Sequence, residues 1–238
     1  MSPDLHYELY SLYDSVSNNV ENLKKEIKKA TIANPKTKSG LTCPYCGITR
    51  NILHDLDHFM PRSKYPEFSI LSNNLIYVCS ECNQDFKKNT FLINSEDPIR
   101  KFLNPYYDLI DEEELMICNI SCKGIILNIE YIANPELILK NKYLYDVTKN
   151  HIDSLCLNER YVRNILRDLL EKFLNTFRDK SIVSHRKIRN FKNIEVKHYI
   201  NYKINELGDA SINNFELLFW KKFINCNQFF NAIKGVDL

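Results

Sequence analysis

Two Cys-x-x-Cys pairs, Cys43/Cys46 and Cys79/Cys82, constrain this chain more than any other feature. Each pair sets two thiols on one tight turn, within reach of a single tetrahedral ion. Zinc bonds thiolate sulfur at about 2.3 Å and takes four closed ligands in a structural site. The stretch between the pairs, residues 47–78, is longer than a minimal zinc ribbon needs. An ion held by all four cysteines would therefore close a loop with content of its own. The alternative, a pair of disulfides, belongs to oxidising compartments. The polar N-terminus has no signal-peptide core. No apolar run approaches the roughly 20 residues that span a bilayer. The expectation is a reduced, cytoplasmic protein with a structural Zn²⁺ and no membrane contact. Cys118, Cys122, Cys156 and Cys226 lack paired spacing and read as core residues.

The contents of the loop are more specific. Asp57-His58 follows an apolar-flanked run at residues 51–56, and Met60-Pro61 ends it. Tyr65-Pro66-Glu67 reads as a turn, because proline fixes its own φ and biases the residue before it. Residues 75–78, Leu-Ile-Tyr-Val, read as a strand. Residues 80–88 are polar, suit a helix and begin inside the second cysteine turn. The expected order is strand, loop, strand, helix, with metal-type cysteines at both ends.

In Asp57-His58, Asn74 before Leu75, and Asn83 nine positions after Asn74, the chain resembles the HNH, or ββα-metal, endonucleases. The Cys₄ bracket resembles the zinc-stapled form of that fold. The likeness covers about residues 40–92. It implies His58 as general base, since an imidazole near pKa 6.5 can take a proton from water at neutral pH. It implies Asp57 and Asn83 as oxygen ligands of a catalytic Mg²⁺ or Mn²⁺, and Asn74 as the residue that orients the imidazole. The last position is often histidine in the family and is Asn83 here. An Asp/Asn oxygen pair leans toward Mg²⁺ or Mn²⁺ and away from imidazole-preferring ions. Asn73 is the alternative to Asn74 if the register slips by one. Arg62, Lys64, Lys87 and Lys88 lie close enough in sequence to meet phosphates. Asp55 reads as solvated, and His54 as a strand residue without chemistry.

The net charge of +2 supplies no global basic footprint, so any nucleic-acid surface must be local. The best distant patch is residues 185–197, with Arg186, Lys187 and Arg189 interleaved with apolar residues. Leu5, Leu9, Leu12 and Val16, then Val20, Leu23, Ile27 and Ala30, recur at helical spacing and predict one helix over residues 4–33. A hairpin is expected over residues 115–132, and helices over residues 159–179, 194–207 and 214–233. Residues 104–108, Asn-Pro-Tyr-Tyr-Asp, loosely resemble a segment of some bacterial HNH proteins, with no mechanism attached. The aromatic-rich last helix suggests a buried element or an interface for a partner or second copy.

The fold class expected is α+β. An N-terminal helical brace and linker (1–39) precedes a zinc-held ββα-metal module (40–92). A mainly helical region with a hairpin near its start (93–238) follows. The function expected from the resemblance is metal-dependent hydrolysis of DNA phosphodiesters. Stand-alone bacterial proteins that look like this often serve in anti-phage defence, some beside an ATPase partner of the Septu type. The competing expectation is a zinc-stapled module that binds nucleic acid or protein without chemistry.

Overall fold

The computed structural model describes residues 2–15, 17–33, 42–49, 55–93, 98–108, 110, 112–184, 193–208 and 210–233. Its centre is the expected order of elements. Strand β1 (Asp55–His58) pairs antiparallel with β2 (Leu75–Val78), with Asp55 opposite Val78 and His58 opposite Leu75. All four residues of β2 are buried, as an apolar run covered on both faces requires. A short helix of π type, Glu81–Lys87, follows from the second cysteine turn. The first cysteine turn is closed by a bridge between Thr42 and Thr49. Gly47 stands there at φ +64°, a left-handed conformation that glycine adopts without steric cost, and its N–H returns to the Cys43 carbonyl at 2.8 Å.

The N-terminal brace is two helices rather than one. Helix α1 (Pro3–Ser11) starts with Ser2 accepting from the Leu5 N–H and runs into a 3₁₀ turn, Leu12–Asp14. The chain then extends at Ser15 and Ser17 before α2 (Asn18–Ile32). Closely spaced serines compete for backbone hydrogen bonds and favour helix ends, which outweighs the apolar periodicity across them. Helix α2 packs on β2, and α1 packs on the Pro66–Phe68 turn that follows β1.

Strands β3 (Met116–Lys123) and β4 (Ile126–Ala133) form the expected hairpin, turning at Gly124 with φ +62°. Helices α3 (Leu137–Lys140), α4 (Lys142–Ser154) and α5 (Leu157–Asn164) come next. A π segment, Ile165–Leu170, carries α5 into α6 (Glu171–Ser184). Helix α7 spans Asn193–Glu206. The expected single helix over residues 214–233 is two, α8 (Phe215–Phe223) and α9 (Asn227–Ile233), separated by a turn at Ile224 and Asn225. That break lets both helices fold their aromatic side chains inward.

Phe215, Phe219, Trp220, Phe223, Phe229 and Phe230 are all buried. They mesh with Phe173, Phe177 and Tyr199 from α6 and α7. Burying each such ring is worth roughly 1.5–3 kcal/mol. The aromatic surplus is thus consumed within the chain's own core, which is the buried element expected as one of the two readings. The core that contains it is continuous with the two cysteine turns. Of the cysteines read as core, Cys118 and Cys226 are buried, Cys122 is half-buried and Cys156 is exposed. No helix among the described residues is long and apolar enough to cross a membrane.

Candidate metal centre and catalytic cleft

The sulfurs of Cys43, Cys46, Cys79 and Cys82 lie within 4.8 Å of one another, all four residues are buried, and none is in a disulfide. Tetrahedral zinc at about 2.3 Å from each sulfur needs that closeness. The cluster supports a structural zinc. Four thiolates around one Zn²⁺ leave two negative charges, and the surroundings donate toward them. The Cys79 N–H points at the Cys43 Sγ at 3.4 Å. The Arg160 guanidinium donates to the Cys82 Sγ at 3.4 and 3.5 Å and pairs with Glu81 at 3.0 Å.

Arg160 carries a charge of the kind that ordinarily stays in water, and it is buried. A second residue outside the motif, His151 of α4, holds the first cysteine turn. The Leu103 N–H donates to its Nδ1 at 3.1 Å, so its Nε2 carries the proton and donates to the Tyr45 carbonyl at 2.7 Å. Burial lowers its pKa to about 4. Neither residue has a signal in the sequence, because each is defined by a partner far along the chain.

His58 lines a cleft of about 200 Å³ together with Asp57, Arg62, Asn83, Gln84 and Lys88. The imidazole Nε2 lies 2.9 Å from the Ser69 carbonyl. A carbonyl can only accept, so Nε2 carries the proton and Nδ1 keeps a free lone pair. Tyr13 packs edge-on against the ring, with centroids 4.5 Å apart. Burial lowers the His58 pKa below the ordinary value, and the Ser69 carbonyl opposes that in part. The neutral, basic form therefore prevails at neutral pH.

The hydrogen bond expected from Asn74 to this ring is made by Ser69 instead. The Asn74 amide is engaged in the loop after β1. Its Oδ1 accepts from the Met60 N–H at 2.7 Å, and its Nδ2 donates to the Met60 and Phe68 carbonyls at 3.1 and 3.0 Å. Asn74 is buried and fixes the loop that delivers Ser69 to His58. Asn73 is exposed and donates to the Tyr107 hydroxyl, so it does not take this place. The segment at residues 104–108 also has a structural task, since the Tyr106 hydroxyl donates to the Leu75 carbonyl of β2.

Asp57 is buried and its carboxylate is engaged. Oδ2 accepts from the Tyr45 hydroxyl at 2.6 Å and lies 3.0 Å from the Lys87 ammonium, which also donates to Oδ1 at 3.1 Å. The ammonium reaches the His58 carbonyl as well, at 2.8 Å. Lys87 is fully buried, so it cannot serve as the phosphate contact expected of it. Arg62 faces the cleft but pairs with Asp14 at 2.8 Å and stacks on Tyr10 and Tyr13. Lys88 is exposed at the cleft, and Lys64 is exposed outside its lining. Asn83 donates from Nδ2 to the Asp55 Oδ2 at 3.1 Å, and Gln84 donates to the same oxygen at 2.9 Å. Asp55, expected to be merely solvated, is thus the carboxylate that touches Asn83. Arg186, Lys187, Arg189 and His54 lie outside the described residues.

For a catalytic divalent ion the expected donors fit unequally. Asn83 offers an amide oxygen in the cleft, as Mg²⁺ or Mn²⁺ accepts. Asp57 presents no free carboxylate, since a cation and a phenol hold both of its oxygens.

Residues 43–88 match the family model described as HNH endonuclease. Protein ea31 of Escherichia phage lambda is 40% identical to the chain over 73 residues, which make up 29% of this chain and 22% of that protein. The chain therefore spans about a fifth of that relative's length. No solved structure matches the chain.

Proposed function

We propose that the HNH endonuclease domain at residues 43–88 makes this chain a metal-dependent endonuclease that hydrolyses DNA phosphodiester bonds. The observation that carries the reading is His58, a neutral imidazole held at Nε2 by the Ser69 carbonyl in a cleft that Asn83 shares. Its Nδ1 takes the proton from the attacking water. Asn74 acts indirectly, by fixing the loop that holds Ser69. A bound Mg²⁺ or Mn²⁺ would supply charge relief at the phosphate and leaving oxygen. Lys88 and Arg62 border the cleft where the phosphate backbone would lie, and Arg186, Lys187 and Arg189 belong to the proposal as phosphate contacts on their charge in the sequence alone.

The test is cleavage of supercoiled plasmid with Mg²⁺ or Mn²⁺ by the zinc-loaded chain beside His58→Ala. The parent should nick or linearise the plasmid. The variant should lose at least about 100-fold in rate, the range for removing a general base, while keeping its zinc. Equal cleavage by both proteins would remove His58 from its role. The second reading is a zinc-stapled binding module. Plasmid retention without cleavage by either protein, with zinc bound and the fold intact, would favour it. A role in anti-phage defence, with an ATPase partner, belongs to the same proposal on resemblance alone. It is tested by phage plating with and without the genes adjoining this one.

A further inference from the structure

We infer that the cavity of about 420 Å³ between helix α2, strand β2 and the first cysteine turn binds a neutral, mainly apolar small molecule, with one polar group of that molecule on the Tyr161 hydroxyl. The site stands apart from the nuclease reading, because this cavity and the His58 cleft share no lining residue.

Small-molecule sites run to about 300–1,000 Å³, with apolar walls and a few placed polar groups. This cavity has that size and that make-up. Ile27 reaches it from α2, Ile76 from β2, and Leu103, Leu115 and Met116 from the chain leading into β3. Ala30, Ser72 and Asn73 border it and are exposed, which leaves a way in.

The walls select against charge. No Asp, Glu, Lys or Arg lines the cavity among the described residues. His151, on the same wall, is kept neutral by burial. An ionised ligand would give up its hydration and meet no opposite charge. Phosphates, nucleotides and free metal ions are thereby excluded, and an uncharged occupant is favoured.

Tyr161 of α5 supplies the polar contact. It is 1% exposed, and its ring is fixed by parallel stacking on Phe215 at 4.6 Å and by an edge-on contact with Tyr131 at 4.9 Å. Its hydroxyl reaches the first cysteine turn, 3.9 Å from where a Cβ on Gly47 would stand. Tyr45 and His151, the buried neighbours on the wall, already have partners in Asp57, Leu103 and the Tyr45 carbonyl. The Tyr161 hydroxyl has none among the described residues, and it opens on the cavity instead of being sealed in the core. Burial pushes its pKa well above the ordinary range, so it keeps its proton and can donate. A carbonyl, ether or hydroxyl oxygen of the ligand would accept that hydrogen bond. A molecule so held would tie α2 to the first cysteine turn and to the chain leading into β3.

The experiment titrates the zinc-loaded chain with prodan, an uncharged naphthalene ketone whose emission reports an apolar site. Anilinonaphthalene sulfonate, with comparable rings and a fixed negative charge, is titrated in parallel. Prodan should bind saturably at one per chain, with blue-shifted emission, and should raise the melting temperature by mass action. The sulfonate should bind at least about tenfold more weakly, since its charge has no counterpart in the cavity. Tyr161→Phe should melt as the parent does, because the hydroxyl has no partner to lose, and should weaken prodan by about two- to tenfold, the worth of one hydrogen bond. Ile27→Trp, which fills the cavity from α2, should abolish prodan binding while retaining zinc. A parent that binds no prodan saturably, or that binds the sulfonate as tightly, would overturn the assignment. Prodan binding unchanged in both Tyr161→Phe and a folded Ile27→Trp would also overturn it, since the dye would then sit elsewhere.

Discussion

His151 shows how one side chain can link stability to pH. Its two ring nitrogens are satisfied in the neutral state, one accepting from Leu103 and one donating to Tyr45. In the unfolded chain the imidazole takes a proton near pH 6.5, whereas in the fold it resists down to about 4. Between those values the unfolded state binds more protons. This contribution to stability is complete above pH 6.5 and is lost as pH falls toward 4, by up to about 1.4 kcal/mol per unit. Glutamine can accept and donate in the same places without titrating. His151→Gln should therefore lose less stability than the parent between pH 6.5 and 4, as read from urea midpoints at saturating zinc. Acid also competes for the zinc thiolates in both proteins, so the difference between them isolates the imidazole. Nothing near His151 in sequence announces this role, because Leu103 and Tyr45 reach it only through folding.

At the scale of elements, β1 and the helix Glu81–Lys87 are joined by a buried ion pair, Asp57 to Lys87. Such a pair adds little compared with a well-packed apolar substitute, but breaking it leaves a stranded charge. Lys87→Met should destabilise the chain by about 3–5 kcal/mol, and adding Asp57→Leu should recover most of that loss. Chemical denaturation at fixed zinc measures both, and a single variant as stable as the parent would contradict the pairing. The elements themselves were largely legible. The strand-loop-strand-helix order follows from turn residues and a four-residue apolar run, and the hairpin from alternation around Gly124. Helix ends were less legible. Apolar spacing continues smoothly across residues 15–17 and 224–226, where local polar groups and the demands of packing stop the helix. The candidate site was legible where it is local, in Asp57-His58, Asn74 and Asn83. The sequence could not show which acid meets the amide and which meets the ammonium.

For the whole molecule, the decisive fact is that the cysteine turns and the aromatic C-terminal helices share one core. Zinc removal should thus be felt far from the metal. A chelator strong enough to strip a Cys₄ site should lower the thermal transition of α8 and α9 along with that of the turns, followed through the fluorescence of Trp220. A Trp220 transition indifferent to chelation would show that the two parts melt independently. Binding and folding are coupled in such sites, which sets the direction of the effect. Long-range contacts of this kind are invisible to pattern reading. Arg160 has the spacing of a surface residue and the environment of a core one, and only the position of Cys82 decides between them.

Arg160 and His151 also bear on how this segment could pass from one protein to another. The stretch that matches the family model, residues 43–88, invites the picture of a cassette, cut out and pasted elsewhere at will. Here the inner face of the cassette is tailored to its host, since Cys82 leans on a guanidinium and Tyr45 on an imidazole supplied from downstream. A new host would have to provide equivalent donors, or the transplanted turns would bind their ion less firmly. Inheritance of the motif is therefore tied to inheritance of the helices that seat it.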